Sequence, residues 1–108
     1  MSEATYYVLA SLLDERLYGY GIVKKAAVLS GGAVKLTTGT LYGALDRLVG
    51  QGLVAADGEE EVDGRLRRYY RITDAGAEAV GSEAARLRRA ARAIEPRARG
   101  ALITGGAR

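Results

Sequence analysis

Residues 37–56 read TTGTLYGALDRLVGQGLVAA, and the fold turns on them. Leu41, Ala44, Leu45 and Leu48 recur at helical spacing and lay one apolar stripe along a helix. The opposite face shows Thr40, Gly43, Asp46 and Arg47. Thr37 or Thr38 caps its start, because a hydroxyl there accepts a hydrogen bond from an otherwise orphaned backbone N–H. Gly50-Gln51-Gly52 stops the helix, and Leu53-Val54-Ala55-Ala56 opens a β-prone run.

Upstream, residues 4–14 predict a first helix with Tyr6, Leu9, Leu12 and Leu13 on its apolar side. Gly19 and Gly21 flank Tyr20 at the start of a second helix, Ile22, Val23, Ala26 and Leu29, which stops at Gly31-Gly32. The alternation in Val34-Lys35-Leu36 predicts a short strand. Downstream, Leu66 to Ile72 forms a second β-prone run, and the polar segment Asp57 to Gly64 predicts a hairpin loop between the two. In that second run Arg68, Tyr70 and Ile72 share one face and Arg67, Tyr69 and Arg71 the other.

Thr73 caps a fourth helix, with Asp74 where the helix dipole favours negative charge. The helix is expected to end near Glu95, since Pro96 lacks a donor and clashes with the preceding turn. Ala77, Val80, Ala84, Leu87, Ala91 and Ile94 alternate spacings of three and four, the repeat of a helix packed along a partner. That seam fits a helix lying on its own core or one facing a second chain. Its length beyond what so small a core covers favours the second chain. The expected fold is α+β, mostly α: a winged helix-turn-helix with a C-terminal dimerisation helix. Residues 1–73 form the winged-helix domain, 74–96 the dimerisation helix, and 97–108 a tail expected to be disordered.

The chain has 108 residues, 48% hydrophobic and 27% charged, one domain of ordinary globular composition. It has no Cys and no His, which removes disulfides, thiolate chemistry and the commonest general base. An enzyme is not expected, nor a cofactor or metal. Gly19-Tyr20-Gly21 begins like a dinucleotide fingerprint, but Lys24 occupies the third glycine position and no strand precedes it. Glu59, Glu60, Glu61 and Asp63 lack the spaced ligands of a calcium loop. No apolar run approaches the roughly 20 residues of a membrane span, and Glu3 stands where a signal peptide carries basic residues; a cytoplasmic location is expected. The formal net charge is +3, too mild to indicate nucleic acid by itself.

Tyr18-Gly19-Tyr20-Gly21-Ile22, Gly39-Thr40-Leu41-Tyr42 and Gly52-Leu53-Val54 resemble, in order, the signature of PadR-type regulators. So do Asp63-Gly64-Arg65, Arg68-Tyr69-Tyr70-Arg71-Ile72-Thr73 and Ala75-Gly76. The resemblance covers about residues 4–95 and is that of the short subfamily with a single C-terminal dimerisation helix. Family members usually have His at the position of Tyr18 and often Pro at that of Thr38. The chain also lacks the Trp on which some multidrug-binding relatives stack flat aromatics.

The resemblance implies a sequence-specific DNA-binding regulator, a repressor that occupies an inverted-repeat operator as a homodimer. An effector of unspecified identity, or none, would change the angle between its two reading halves. The alternative is a winged-helix protein-interaction module with no DNA role. On the first reading, double-stranded DNA meets Thr38, Thr40, Tyr42, Gly43 and Arg47 of the third helix, and Gly64, Arg65 and Arg67 of the wing. The threonines serve as caps, as phosphate ligands or as both. Tyr42 either reaches a phosphate, as the resemblance favours, or fills core; Arg47 either reads guanine or pairs with a carboxylate. At the dimer interface stand Tyr6, Val80, Ala84, Leu87, Ala91 and Ile94, with Tyr6 and Tyr7 equally suited to the chain's own core. The acidic run beside the wing has no role in this scheme, since its charge repels phosphates.

Overall fold

The structure, a computed structural model, describes residues 1–105. Helix α1 (Glu3–Ser11) begins at Ser2, whose hydroxyl accepts the Thr5 amide at 3.1 Å. A two-residue strand β1 (Leu17–Tyr18) leads directly into helix α2 (Gly19–Leu29). Helix α3 (Thr38–Gly50) is capped by Thr37, whose Oγ1 accepts the Thr40 amide at 3.3 Å. Strands β2 (Val54–Val62) and β3 (Arg65–Ile72) form the wing, and helix α4 (Asp74–Gly100) follows from its Thr73 cap. A single π-helical turn, Ala101–Gly105, closes the described chain.

The core gathers Val8, Leu9 and Leu12 from α1 and its end, Ile22 from α2, and Leu41, Leu45 and Leu48 from α3. Val54 and Tyr70 of the wing's root and Val80 of α4 complete it. Burying each such leucine contributes about 1.5–3 kcal/mol relative to exposure, so the α3 stripe holds that helix against α1, α2 and the sheet. Its polar face is left outward.

The sheet is antiparallel in the order β1-β3-β2. Leu17 and Tyr18 pair with Tyr70 and Tyr69 on one edge of β3, where Val34-Lys35-Leu36 was expected to supply the extra strand. That stretch is not a strand: one edge of β3 is taken by β1 and the other by β2. The Val34 amide bonds instead to Ser30 Oγ at 2.9 Å while its side chain is buried.

The wing is longer than the sequence suggests. The stretch 57–64, expected as a loop, is mostly strand: β2 runs to Val62 with a bulge between Ala56 and Glu59, and the turn is Asp63-Gly64 alone. Both turn residues have positive φ, 51° and 76°, as a two-residue hairpin requires. Helix α1 also stops at Ser11, short of the expected residue 14.

Thr73 ties α4 to the end of α3. Its Oγ1 donates to the Gly52 carbonyl at 2.7 Å and accepts the Gly76 amide at 3.0 Å, while its own amide donates to the Leu53 carbonyl at 3.1 Å. Helix α4 then passes through Pro96, where it was expected to end, and continues to Gly100. The proline cannot donate to the Arg92 carbonyl, but this part of α4 is exposed, so that oxygen is open to solvent. Residues 97–105 are therefore helical rather than an irregular tail; the rest of that expected tail, 106–108, lies outside the described residues. The chain extends 62 × 27 × 21 Å, with the far half of α4 standing clear of the body.

Candidate nucleic-acid interface

The start of α3, the start of α2 and the wing enclose one concave surface of about 670 Å³. Thr37 and Thr38 enter it from the cap of α3, Tyr42 from the next turn, and Arg65 to Arg68 from the wing. The cap comes from local chemistry: Thr37 Oγ1 accepts the Thr40 amide and donates to Thr40 Oγ1 at 2.9 Å. First-turn amides at this end face solvent with the positive end of the helix dipole. Cationic wing side chains oppose it, and Val23, Leu36, Leu41 and Leu66 add apolar surface. The cleft thus combines hydrogen-bond donors and positive charge with apolar walls and has no acidic residue in its lining.

Of the expected DNA-contact residues, Thr38, Tyr42, Arg65 and Arg67 come together in this cleft. Thr40, Gly43 and Arg47 lie outside it on the exposed face of α3, and Gly64 sits at the wing's turn. A Cβ on Gly43 would meet nothing within 4 Å, so the helix presents bare backbone there. Tyr42 rests on Gly19, where an added Cβ would lie 2.6 Å from the phenolic oxygen, and it remains 37% exposed. It is a cleft wall rather than a core residue.

Register accounts for part of the acidic run. Glu59 stands opposite Arg68 and Glu60 opposite Arg67, while Glu60 also lies 3.9 Å from Arg16. The wing thus sets two β2 glutamates opposite β3 arginines across the ladder, where opposite charges are favourable neighbours. Among the described residues, the one wing glutamate within 4 Å of a guanidinium is Glu60, beside Arg16. Val62 and Arg65 pair nearest the turn, which places Arg65 directly beside the Asp63-Gly64 tip.

Three residues not expected at the site stand behind the wing. The Arg67 guanidinium lies 4.3 Å over the Tyr18 ring, Tyr18 lies 5.8 Å from Tyr69, and the Arg16 guanidinium lies 4.2 Å over Tyr69. Arg16 is anchored by a 2.8 Å bond from Nη1 to the Asp57 carbonyl at the bulge. The alternation that places Arg67 and Tyr69 on one face of β3 was visible in the sequence. Tyr18 was not, because a two-residue strand has no period to read.

At the other end of the molecule, the α4 seam divides. Val80 is 4% exposed and belongs to the chain's own core, which removes it from the expected dimer surface. Leu87 and Ile94 are 41% and 62% exposed, and Ala84 and Ala91 lie on the same side of the helix. Tyr6 packs partly on the core, edge-on to Tyr7 at 5.1 Å, and also borders a 180 Å³ groove with Leu87, Glu83 and Arg86. Arg86 donates to both carboxylate oxygens of Glu83, at 3.0 and 2.6 Å. That hydrogen bonding, aided by the charge of Arg86 and the Met1 ammonium, holds the Glu83 carboxyl below its ordinary range. Among the described residues no helix is long and apolar enough to cross a membrane.

Residues 8–82 match the family of PadR-like transcriptional regulators. The transcriptional regulator Rv3488 of Mycobacterium tuberculosis is 33% identical over 88 residues, 82% of this chain and 78% of that one. A PadR family transcription regulator from Clostridium difficile superposes with a TM-score of 0.74 at 23% identity, covering 88% of this chain and 97% of the other. Bacillus subtilis PadR, in a crystal structure with operator DNA, shares the fold with a TM-score of 0.63 at 20% identity, over 72% of this chain and 45% of that one.

Proposed function

This chain belongs to the PadR-like family of transcriptional regulators, and from that premise we propose that it is a repressor that binds an inverted-repeat operator as a homodimer. The observation that carries the reading is the cleft in which the α3 cap and the cationic wing face each other. Helix α3 enters the major groove by its N-terminal half, with Thr38, Thr40, Tyr42, Gly43 and Arg47 toward the DNA. The capping threonines and Tyr42 take phosphates, and Arg47 takes a base edge or a phosphate beside it. Gly64, Arg65 and Arg67 follow the adjacent backbone or minor groove. The operator-bound relative from Bacillus subtilis supports this by sharing the fold.

The second copy packs along α4, through Ala84, Leu87, Ala91 and Ile94, with Tyr6 at the margin. Small alanines let the two helices lie close, and a change in their angle alters the separation of the two reading heads. A small-molecule effector would act by favouring one angle over another.

Selection of bound sites from random double-stranded DNA tests the proposal. The expected product is an inverted repeat with half-site centres about 10 base pairs, roughly 34 Å, apart. Inserting five base pairs between the half-sites turns one to the opposite face and should abolish tight binding. Equal affinity for both spacings would reject the dimeric reading. An absence of salt-dependent DNA affinity would favour a protein-interaction module instead.

A further inference from the structure

We propose that Tyr18 is a positioning residue for DNA binding, holding Arg67 as a pre-set phosphate ligand; this rests on the DNA-binding reading above. The two arginines at the ends of the Arg16–Tyr69–Tyr18–Arg67 stack are used differently. Arg16 spends the edge of its guanidinium on the chain itself, donating to the Asp57 carbonyl and lying 3.9 Å from Glu60. The Arg67 guanidinium makes no hydrogen bond or ion pair among the described residues, and only its face is engaged, 4.3 Å from the Tyr18 ring. A guanidinium stacked by its face keeps its in-plane N–H donors available, in the forked arrangement that suits a phosphate.

The place of Tyr18 makes this contact more than a passing one. It belongs to β1, is paired in register with Tyr69, and forms the N-cap residue of α2 without a side-chain capping bond. The ring is therefore fixed by the sheet on one side and by the helix start on the other. Arg67 lies on the lining of the same cleft as Thr37, Thr38 and Tyr42. A long side chain that would otherwise lose rotamer freedom on meeting DNA is held in the cleft beforehand, and less of that entropy is lost on binding.

The test is a double-mutant cycle on binding to a mixed-sequence DNA duplex, with salt dependence measured for each protein. Tyr18→Leu removes the ring without altering charge and should weaken binding about 2- to 5-fold. Tyr18→Phe, which keeps the ring, should bind as the wild type does. In an Arg67→Ala background, Tyr18→Leu should have no further effect. Additive losses in the cycle, or an equal loss from Tyr18→Phe, would overturn the proposal. Arg67→Lys supplies a second test that leaves the fold of the half-buried wing position undisturbed. It keeps the charge and loses the planar fork, so affinity should fall while the salt slope stays; unaltered affinity would also overturn the proposal. A wild-type protein without salt-dependent binding would reject the DNA-binding reading itself and this role with it, whereas binding with additive losses rejects the role alone.

Discussion

Gly76 lies against the carbonyl oxygen of Leu53 so closely that a side chain there would collide with main chain. The contact brings the first turn of α4 onto the end of α3, beside the Thr73 clamp. Gly76→Ala should therefore destabilise the fold, by about 1–3 kcal/mol on the scale of overpacked cores. Thermal unfolding should show it as a drop of roughly 4–8 °C per kcal/mol. An unchanged midpoint would mean that the two helices separate without cost.

Gly43 presents the opposite case. The space beside it is open, and the residue lies within α3, so Gly43→Ala should raise stability by about 0.5–1 kcal/mol. The same methyl group would stand on the face proposed to meet the groove. Expected together are a higher unfolding midpoint and weaker operator binding. A variant that gains stability and keeps full affinity would move the reading face away from Gly43.

Leu87→Asp places a charge in the exposed α4 seam and should convert the proposed dimer to monomer. The helix itself should survive, because Leu87 is 41% exposed and contributes nothing to the buried core. Sedimentation of wild-type and variant proteins at micromolar concentration reads the result. A wild-type monomer would refute the assignment of the seam.

Arg65 is the cationic residue nearest the tip of the wing, opposite Val62 and exposed. Arg65→Ala should weaken binding to all duplex sequences to a similar degree. It should also reduce the salt slope by about one unit for the lost phosphate contact. An unaltered slope would place the wing tip away from DNA.

Much of this architecture is legible in the sequence. Thr73 caps the helix it was expected to cap, Thr37 is the one of the two candidate threonines that caps α3, and the stripe Leu41, Ala44, Leu45 and Leu48 is the buried side of that helix. What escaped reading has physical causes. Leu17–Tyr18 is too short to show alternation, so β1 and the Tyr18 stack were invisible. The wing glutamates resemble loop composition, yet each of Glu59 and Glu60 faces an arginine across the ladder, which makes a charged strand tolerable. Val80 shares the spacing of the α4 seam, but spacing cannot tell an intrachain neighbour from a second copy. A proline such as Pro96 breaks a buried helix, but on an exposed arm the carbonyl it leaves unpaired is open to solvent and the helix can continue.

The Thr73 clamp makes α4 a lever. Its 27 residues span about 40 Å at 1.5 Å per residue, and its near end is bonded to the Gly52 and Leu53 carbonyls just beyond α3. Because two hydrogen bonds cross that joint and Gly76 leaves no room there, the lever and the end of α3 are coupled to turn together. A swing of about 10° over such an arm displaces its end by roughly 7 Å, about a fifth of the pitch of the duplex it would read. A small rotation about the far end of α4 would thus become a large displacement at α3, without any rearrangement of the residues proposed to face DNA.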